Sequence, residues 1–435
     1  MFLLYDLIFL IFSICYLPVF LFKKKIHAGF SMRFGFLPDI PELDRPIWIH
    51  AVSVGEAISI KQLVENLKEK FPQKDFVIST VTPTGNKIAR SIAGKNDAVI
   101  YLPLDFSWIV SRVIAKINPS VFVIAETEIW PNLITGFYKK NIPIVVVNAR
   151  ISDRSFKGYL LAKFLIEPLL NKISVFCVQT ELDAQRLGNL GVSPEKIDCT
   201  GNMKFDIKIR DNEDLNKDNL DLRKKLGLVI HDKLFVAAST HPGEEEEILR
   251  IYLKVSGLYP DFKLLIAPRH PERSESIEKL ANKYPGVKAY RVSRLSRLCA
   301  SLDDLNRRPV FILDTIGELM SFYAVSDIVF VGGSLVKSGG HNILEPASLG
   351  KPILFGKYMF NFRDITEMFL KNNAGIMVKD SSELEDNLKV LLGNEERITQ
   401  LGKASREIIL KNQGATARNS EAIRLLLQNR KCGKI

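Results

Sequence analysis

The sequence predicts an α/β protein built as two successive doubly wound halves, and three observations carry that expectation. Short β-branched runs recur along the chain, amphipathic stretches separate them, and the pattern stops at one polar segment before starting again. Apolar strands alternating with helices imply right-handed crossovers and parallel sheets covered on both faces.

The first series of runs is IWIHAV (47–52), DFVIST (75–80), VFVIAE (121–126), IPIVVVN (142–148) and VFCVQ (175–179). Between them lie helical patterns such as Glu56 to Lys70, Trp108 to Ile117 and Phe156 to Leu170. The segment 206–221, DIKIRDNEDLNKDNLD, is charged and almost without core residues, which suits an interdomain linker. The second series is LFVAAST (234–240), FKLLIAP (262–268), PVFILD (309–314), DIVFVGG (327–333) and KPILFG (351–356). From Ser381 to Gln428 the pattern is helical with little strand signal. The expected organisation is therefore an N-terminal apolar segment (1–22), a basic linker (23–45), a first Rossmann-like domain (46–205), the linker 206–221, a second Rossmann-like domain (222–412) and a C-terminal helix and tail (413–435).

The length, 435 residues, fits two domains of ordinary size, and an apolar fraction of 46% is enough to bury two cores. The net charge of +11 points to an anionic partner such as membrane headgroups, nucleic acid or a phosphorylated substrate. No arginine-rich stripe with interleaved stacking aromatics occurs, which argues against nucleic acid. The five cysteines (Cys15, Cys177, Cys199, Cys299, Cys432) are scattered and odd in number, unlike a disulfide framework or a zinc ribbon. The opening MFLLYDLIFLIFSICYLPVFLF is apolar except for Asp6, and Lys23 to Lys25 follow it. About 20 apolar residues can cross a bilayer, and lysines after the run place the rest of the chain on the cytoplasmic side. An uncleaved anchor with a cytoplasmic body is expected; monotopic insertion with Asp6 kept at the surface is the alternative.

Ligands of open parallel sheets bind beyond the carboxyl ends of the strands, in a cleft when two such halves succeed one another. His50, Ser53 and Glu56 follow the first run; Glu126 and Glu128 the third; Ser239, Thr240 and His241 open the second half; Arg269 and His270 come next, and His341 later. Glu56 opens a helix and either caps it or acts as a general base. Glu126 and Glu128, two apart, share a face if extended and can raise one another's pKa. His341 and Glu345, i, i+4 and therefore on one helix face, have a metal-capable spacing, but no third ligand is evident and no metal is expected. Capping and turn chemistry is the structural alternative for each of these residues.

The stretch VGGSLVKSGGHNILEPA (331–347) brings bare backbone close to something negatively charged: four glycines, Lys337, and a helix starting near Asn342. The lysine and hydroxyl of a nucleoside-triphosphate loop are missing, and the first strand leads into HAVSVGE rather than a G-x-G-x-x-G turn. Triphosphate hydrolysis and dinucleotide redox chemistry are disfavoured. A nucleotide held by the second half and an acceptor held by the first is the logic of a sugar-nucleotide glycosyltransferase.

The chain resembles the bacterial 3-deoxy-D-manno-octulosonic acid (Kdo) transferases. The matching strings are HAVSVGE, TVTPTGN, YLPLD, AETEIWPN, VNARISDRS, TGNMKFD, STHPGEE, PRHPER, DTIGEL, VGGSLVKSGGHNILEPA and NQGA, in order from about residue 48 to 415. The resemblance implies a GT-B fold, two Rossmann-like domains facing a central cleft. It implies inverting, metal-independent transfer of Kdo from CMP-Kdo to the tetraacylated lipid A precursor on the inner face of the cytoplasmic membrane. It matches Glu56 to a general base, Glu126 and Lys204 to stabilisers of the transition state, and Pro268, Arg269, Ile316, Gly317, Glu318, Asn342, Ile343, Leu344 and Glu345 to the CMP site. The partners so implied are CMP-Kdo, the lipid acceptor and an anionic membrane surface, against which Lys23 to Lys25, His27, Arg33, Phe30, Phe34 and Phe36 would hold the first domain. Another sugar-nucleotide enzyme on the same frame, such as an epimerase, and a non-catalytic protein binding anionic lipid are the alternatives.

Overall fold

The computed structural model describes residues 2–22, 29–38, 43–207, 212–297 and 308–431. Lys23 to Lys25, His27, Cys299 and Cys432 lie outside these. The chain divides into two compact units, the first comprising residues 1–206 and 412–435 and the second 207–411.

The first unit carries a parallel sheet of seven strands: β1 (Ile47–His50), β2 (Phe76–Thr80), β3 (Ala98–Tyr101), β4 (Val121–Ala125), β5 (Ile144–Ala149), β6 (Val175–Val178) and β7 (Ile197–Cys199). Their order is β3-β2-β1-β4-β5-β6-β7, the doubly wound arrangement expected, with Ile47 to His50 paired in register to both Phe76 to Ser79 and Val121 to Ile124. Side chains of the central strands are buried on both faces. Trp48 packs edge-on against Phe122 and Phe137 on one side, while Ile47, Ile49 and Val123 face Leu63, Val64 and Leu67 on the other.

The second unit repeats the plan with β8 (Lys233–Thr240), β9 (Phe262–Pro268), β10 (Val287–Arg291), β11 (Arg308–Ile312), β12 (Ile328–Val331), β13 (Ile353–Gly356) and β14 (Ile376–Val378), in the order β10-β11-β9-β8-β12-β13-β14. Its core runs from Phe235, Tyr252 and Phe262 to Leu384 and Leu388 of the helix Ser381–Leu392.

Ten of the fourteen strands coincide with the apolar runs of the sequence. The other four, β3, β7, β10 and β14, are the outermost strands of the two sheets. Two of these are largely exposed and so lack a continuous buried run: β7 has no buried residue and β14 one. β3, AVIY, is apolar and mostly buried, and exposure does not account for its absence from those runs. The polar linker segment is helical from Asn212 onward, in Asn212–Lys225.

The helix Ala415–Lys431 belongs to the first unit although it follows the whole second unit in sequence. Asp206 fastens its start, accepting from the backbone N–H groups of Gly414 (2.6 Å) and Thr416 (2.5 Å). Gly414, with φ of 92°, takes a turn that favours glycine. Asn419, fully buried, accepts from the N–H of Asn148 at the end of β5 and donates to Thr200 Oγ1 and the Ala415 carbonyl.

Residues 2–22 form one helix. Asp6 is buried against the body: its carboxylate accepts from Ser107 N (3.1 Å), Ser107 Oγ (2.6 Å) and Asn132 Nδ2 (2.7 Å). Among the described residues no helix is long and apolar enough to cross a membrane.

Asn419→Ala strands the Asn148 N–H and should lower first-unit stability by about 2 kcal/mol. All three tryptophans, Trp48, Trp108 and Trp130, lie in this unit, so fluorescence-detected urea unfolding isolates it. An unchanged midpoint contradicts the role given to Asn419.

Candidate functional site at the carboxyl edges of the two sheets

In the first unit β1 runs into the helix Val54–Ser59, and Ser53 and Glu56 close a reciprocal cap. Ser53 Oγ accepts from Glu56 N, while the Glu56 carboxylate accepts from Ser53 Oγ (2.8 Å) and Val52 N (2.7 Å). The capping reading of Glu56 is thus realised. It does not remove the group from chemistry: Glu56 is 9% exposed, and burial pushes its carboxyl above the ordinary value, Glu126 adding to this while the Val52 and Ser53 hydrogen bonds oppose it.

Glu126 follows β4 in a left-handed conformation, φ 57°, rare for a residue with a side chain and typical of strained functional positions. It is therefore not on an extended segment, and the shared face expected for Glu126 and Glu128 does not form. Glu126 instead reaches Lys204, with Oε1 3.5 Å from Nζ. Lys204 sits in the short 3-10 turn Met203–Phe205, capped by Asn202, and the turn is held by Met203 N donating to Asn148 Oδ1. Asn148 is itself left-handed, φ 53°. Burial lifts the Glu128 carboxyl to about 7, with Glu56 and then Glu126 adding like charge. Glu56, Glu126, Glu128 and Lys204 thus form one electrostatic group. His50 is not part of it. The ring is fully buried between strands, its Nδ1 bonded to Ser79, and burial drives its pKa down to about 4. Arg33 also turns inward: burial lowers its pKa, and its charge is felt by His50, so it is not a free headgroup contact.

In the second unit Ser239, φ 54°, sits at a register shift one residue before β8 ends, and Arg269 N donates to the Thr240 carbonyl, aligning the exits of β8 and β9. Pro268 ends β9 and Arg269 projects from the edge. After β11, Asp314 fixes Ser293, Ile316 is 87% exposed, Gly317 is left-handed at φ 92°, and Thr315 Oγ1 donates to Glu318. After β12, Asn342 Nδ2 donates to Glu345 Oε1 (3.1 Å) and its Oδ1 accepts from Leu344 N. Burial raises the Glu345 carboxyl; Asn342 and Arg269 oppose it. Ile343 and Leu344 are core residues, so they can shape the site only through their backbone. Their helix, Leu344–Ser348, has five residues and His341 precedes it. The expectation that His341 and Glu345 share a helix face is thereby corrected, and so short a helix carries little dipole for a phosphate.

The double glycine has a different occupant from the one its sequence suggests. The Glu244 carboxylate, 1% exposed, fills the turn: Oε2 accepts from Gly333 N (2.7 Å) and His241 N (2.9 Å), Oε1 from Leu335 N (3.0 Å) and Ser334 N (3.1 Å). A Cβ on Gly332 would stand 2.8 Å from the Ser239 carbonyl oxygen and 2.9 Å from Glu244 itself. Bare backbone does approach an anion here, and the anion belongs to the protein. The run of four glutamates after Gly243 hides this residue, because first-turn glutamates need no explanation beyond the helix dipole. Among the described residues no group of three or more side chains suited to a metal ion occurs.

Glu244→Gln leaves one acceptor oxygen where two served four N–H groups. Hydrogen exchange at residues 333–335 should speed up by about 10- to 100-fold; unchanged protection contradicts the clamp. For Glu128 the folded carboxyl holds a proton that the unfolded chain loses between its ordinary value of 4.5 and about 7. Its stabilising contribution is full below about 4.5 and is lost as pH rises through about 7. Subtracting a Glu128→Gln stability profile from the parent's should reveal this fall; a flat difference rejects the shift.

The N-terminal half matches the family model described as 3-Deoxy-D-manno-octulosonic-acid transferase (kdotransferase) over residues 28–207. The chain is 36% identical over 383 residues to the 3-deoxy-D-manno-octulosonic acid transferase of Haemophilus influenzae, covering 88% of this chain and 87% of that one. It is 32% identical over 414 residues to that of Chlamydophila psittaci, covering 92% and 91%. Among solved structures, the C-terminal CMP-Kdo binding domain of WaaA from Acinetobacter baumannii is 29% identical, covers 46% of this chain and 99% of its own, and superposes with a TM-score of 0.40. UDP-GlcNAc 2-epimerase from Neisseria meningitidis superposes with a TM-score of 0.53 over 88% of this chain and all of its own at 13% identity, a likeness of fold alone. The paired doubly wound sheets are those of a GT-B protein, and the chain belongs to the 3-deoxy-D-manno-octulosonic acid transferases.

Proposed function

We propose that the protein transfers Kdo from CMP-Kdo to a hydroxyl of the tetraacylated lipid A precursor, with inversion and release of CMP. The observation that carries this reading is the grouping of Glu56, Glu126 and Lys204 at one sheet edge, with Glu126 3.5 Å from Lys204. Glu56 is the base. A carboxylate whose pKa is raised by burial and by Glu126 takes a proton more readily than a solvated one, and its hydrogen bonds to Val52 and Ser53 fix its direction. Lys204, held by Glu126 and the capped turn, supplies fixed positive charge where the reaction develops negative charge. In the second unit Arg269 meets the phosphate, the Ile316–Glu318 loop and Asn342 bound the nucleotide, and Glu345 accepts from its sugar hydroxyls. The reaction then needs no metal, because protein cations serve the leaving group.

The acceptor's acyl chains stay in the bilayer, so the enzyme works at a membrane. The N-terminal helix supports this reading. Asp6, its one charged residue, is satisfied by Ser107 and Asn132, while Leu4, Leu7, Ile8, Ile11, Phe12 and Ile14 are 54–63% exposed, a face suited to lipid. Phe34 and Phe36 are exposed nearby in sequence, and the basic surplus of +11 suits anionic headgroups of the inner membrane's cytoplasmic leaflet.

The test is a reconstituted assay with CMP-Kdo and lipid acceptor, product mass being read directly. Glu56→Gln should abolish transfer and keep CMP affinity within about twofold, and Lys204→Ala should slow transfer by about 100- to 1,000-fold. Retained turnover in Glu56→Gln removes it from the base role, and no transfer by the parent chain rejects the reading.

A further inference from the structure

The second unit gathers three histidines that the reaction as described leaves unused. His241 follows β8, His270 follows β9 and His341 follows β12. The rings of His241 and His341 lie nearly parallel, 13° apart, with Nε2 2.8 Å from Nε2, and His270 stands edge-on to His241 with centroids 6.4 Å apart. At 2.8 Å the two Nε2 atoms share one proton, since two lone pairs or two N–H groups would repel. Gly333 makes room for the pair: a Cβ there would stand 2.9 Å from the His341 ring.

We propose that the His241–His341 pair is the seat of the donor's leaving phosphate and the source of the proton that phosphate takes as it departs; this rests on the CMP-sugar reading above. With Nε2 engaged on both rings, the two Nδ1 atoms are left for other partners. The neutral pair holds two ring protons, one shared at Nε2 and one on an Nδ1; with a third it presents two N–H donors and one positive charge to an oxyanion. The surrounding charges favour that use. Arg269 and His270 approach from the β9 exit. Glu272 lies 3.6 Å from His270, Glu345 is engaged by Asn342, and Glu244 is committed to four backbone N–H groups. Ser338 Oγ lies 3.4 Å from His241 Nδ1. No described carboxylate bonds either ring, and an arriving phosphate supplies the missing counter-charge. Without it, burial first, then Arg269, His241 and His270, hold His341 down to about 4. The His341 ring is therefore uncharged near neutral pH, and an anion draws a proton onto it.

In the transfer, the bond between the sugar's anomeric carbon and the phosphate oxygen breaks and its electron pair stays on that oxygen. The pair's proton moves onto the same oxygen, while the acceptor hydroxyl, losing its own proton to Glu56, supplies the new bond to carbon. Water then returns each site to its starting protonation.

Titration calorimetry of the full chain at pH 7.5, in buffers of different ionisation enthalpy, tests this with CMP and cytidine as probes. The parent should take up a proton with CMP and none with cytidine. His341→Gln should lose the uptake and weaken CMP by about 10-fold or more, the worth of a charge-assisted hydrogen bond, leaving cytidine unchanged. His241→Gln should do the same and serves if the first variant misfolds. Equal weakening of CMP and cytidine, or unchanged CMP affinity and uptake in both variants, overturns the proposal while leaving the transferase reading standing. A parent chain that binds no CMP overturns both.

Discussion

A parallel sheet covered on both faces releases all of its strands at one edge, and everything functional in this protein answers to that constraint. Interior strand positions must be apolar on both sides, so polar residues cannot be placed until the strand ends. There they collect, strand by strand, along a single line. In the first unit the line carries Ser53, Glu56, Glu126, Asn148 and the Lys204 turn; in the second it carries Ser239, His241, Arg269, the 315–318 loop and His341. Three side-chain-bearing residues on these lines, Glu126, Asn148 and Ser239, are left-handed. Glu126 turns the chain just after β4, while Asn148 and Ser239 each shift the register of a strand one residue before it ends. The energetic penalty of such backbone is offset by the packed strands behind it and by bonds such as Asn148 N to Asn419.

Internal anions and cations are allocated with economy. Glu244 takes the backbone N–H groups that glycine-rich turns otherwise offer to a ligand. Glu126 holds Lys204 without burying it, since both side chains remain about 30% exposed. An exposed pair of this kind adds little stability, so its value is in fixing where the ammonium points. Glu56 is tied by two short hydrogen bonds and stays partly accessible, which suits a group whose direction matters as much as its basicity.

The sequence reveals the central strands because burial on both faces demands unbroken apolar runs, and it hides two edge strands, β7 and β14, because much of each faces water. It also reveals most strand-exit residues by position alone. It misplaces His50, which looks like an exit residue but lies one step inside, bonded to Ser79. The partner of the last helix is illegible too: nothing local in residues 415–431 says that Asn419 will reach back to Asn148, more than 250 positions earlier. Glu244 is hidden among four identical neighbours, and only three-dimensional proximity shows that it fills the double-glycine turn. The resemblance to Kdo transferases named the grouping of Glu56, Glu126 and Lys204; physical reading of the residues alone left Glu56 between cap and base.

On the reading proposed above, the carboxyl edge of the second sheet seats a cytidine nucleotide by its side chains. A crystal structure of the full chain with CMP tests it most directly. The phosphate should lie against Arg269 and the His241–His341 pair, the ribose hydroxyls at Glu345, and Glu244 should still be bonded to the four N–H groups. A phosphate bound on the Gly332–Gly333 turn in place of Glu244, or a nucleotide away from this edge, would contradict it.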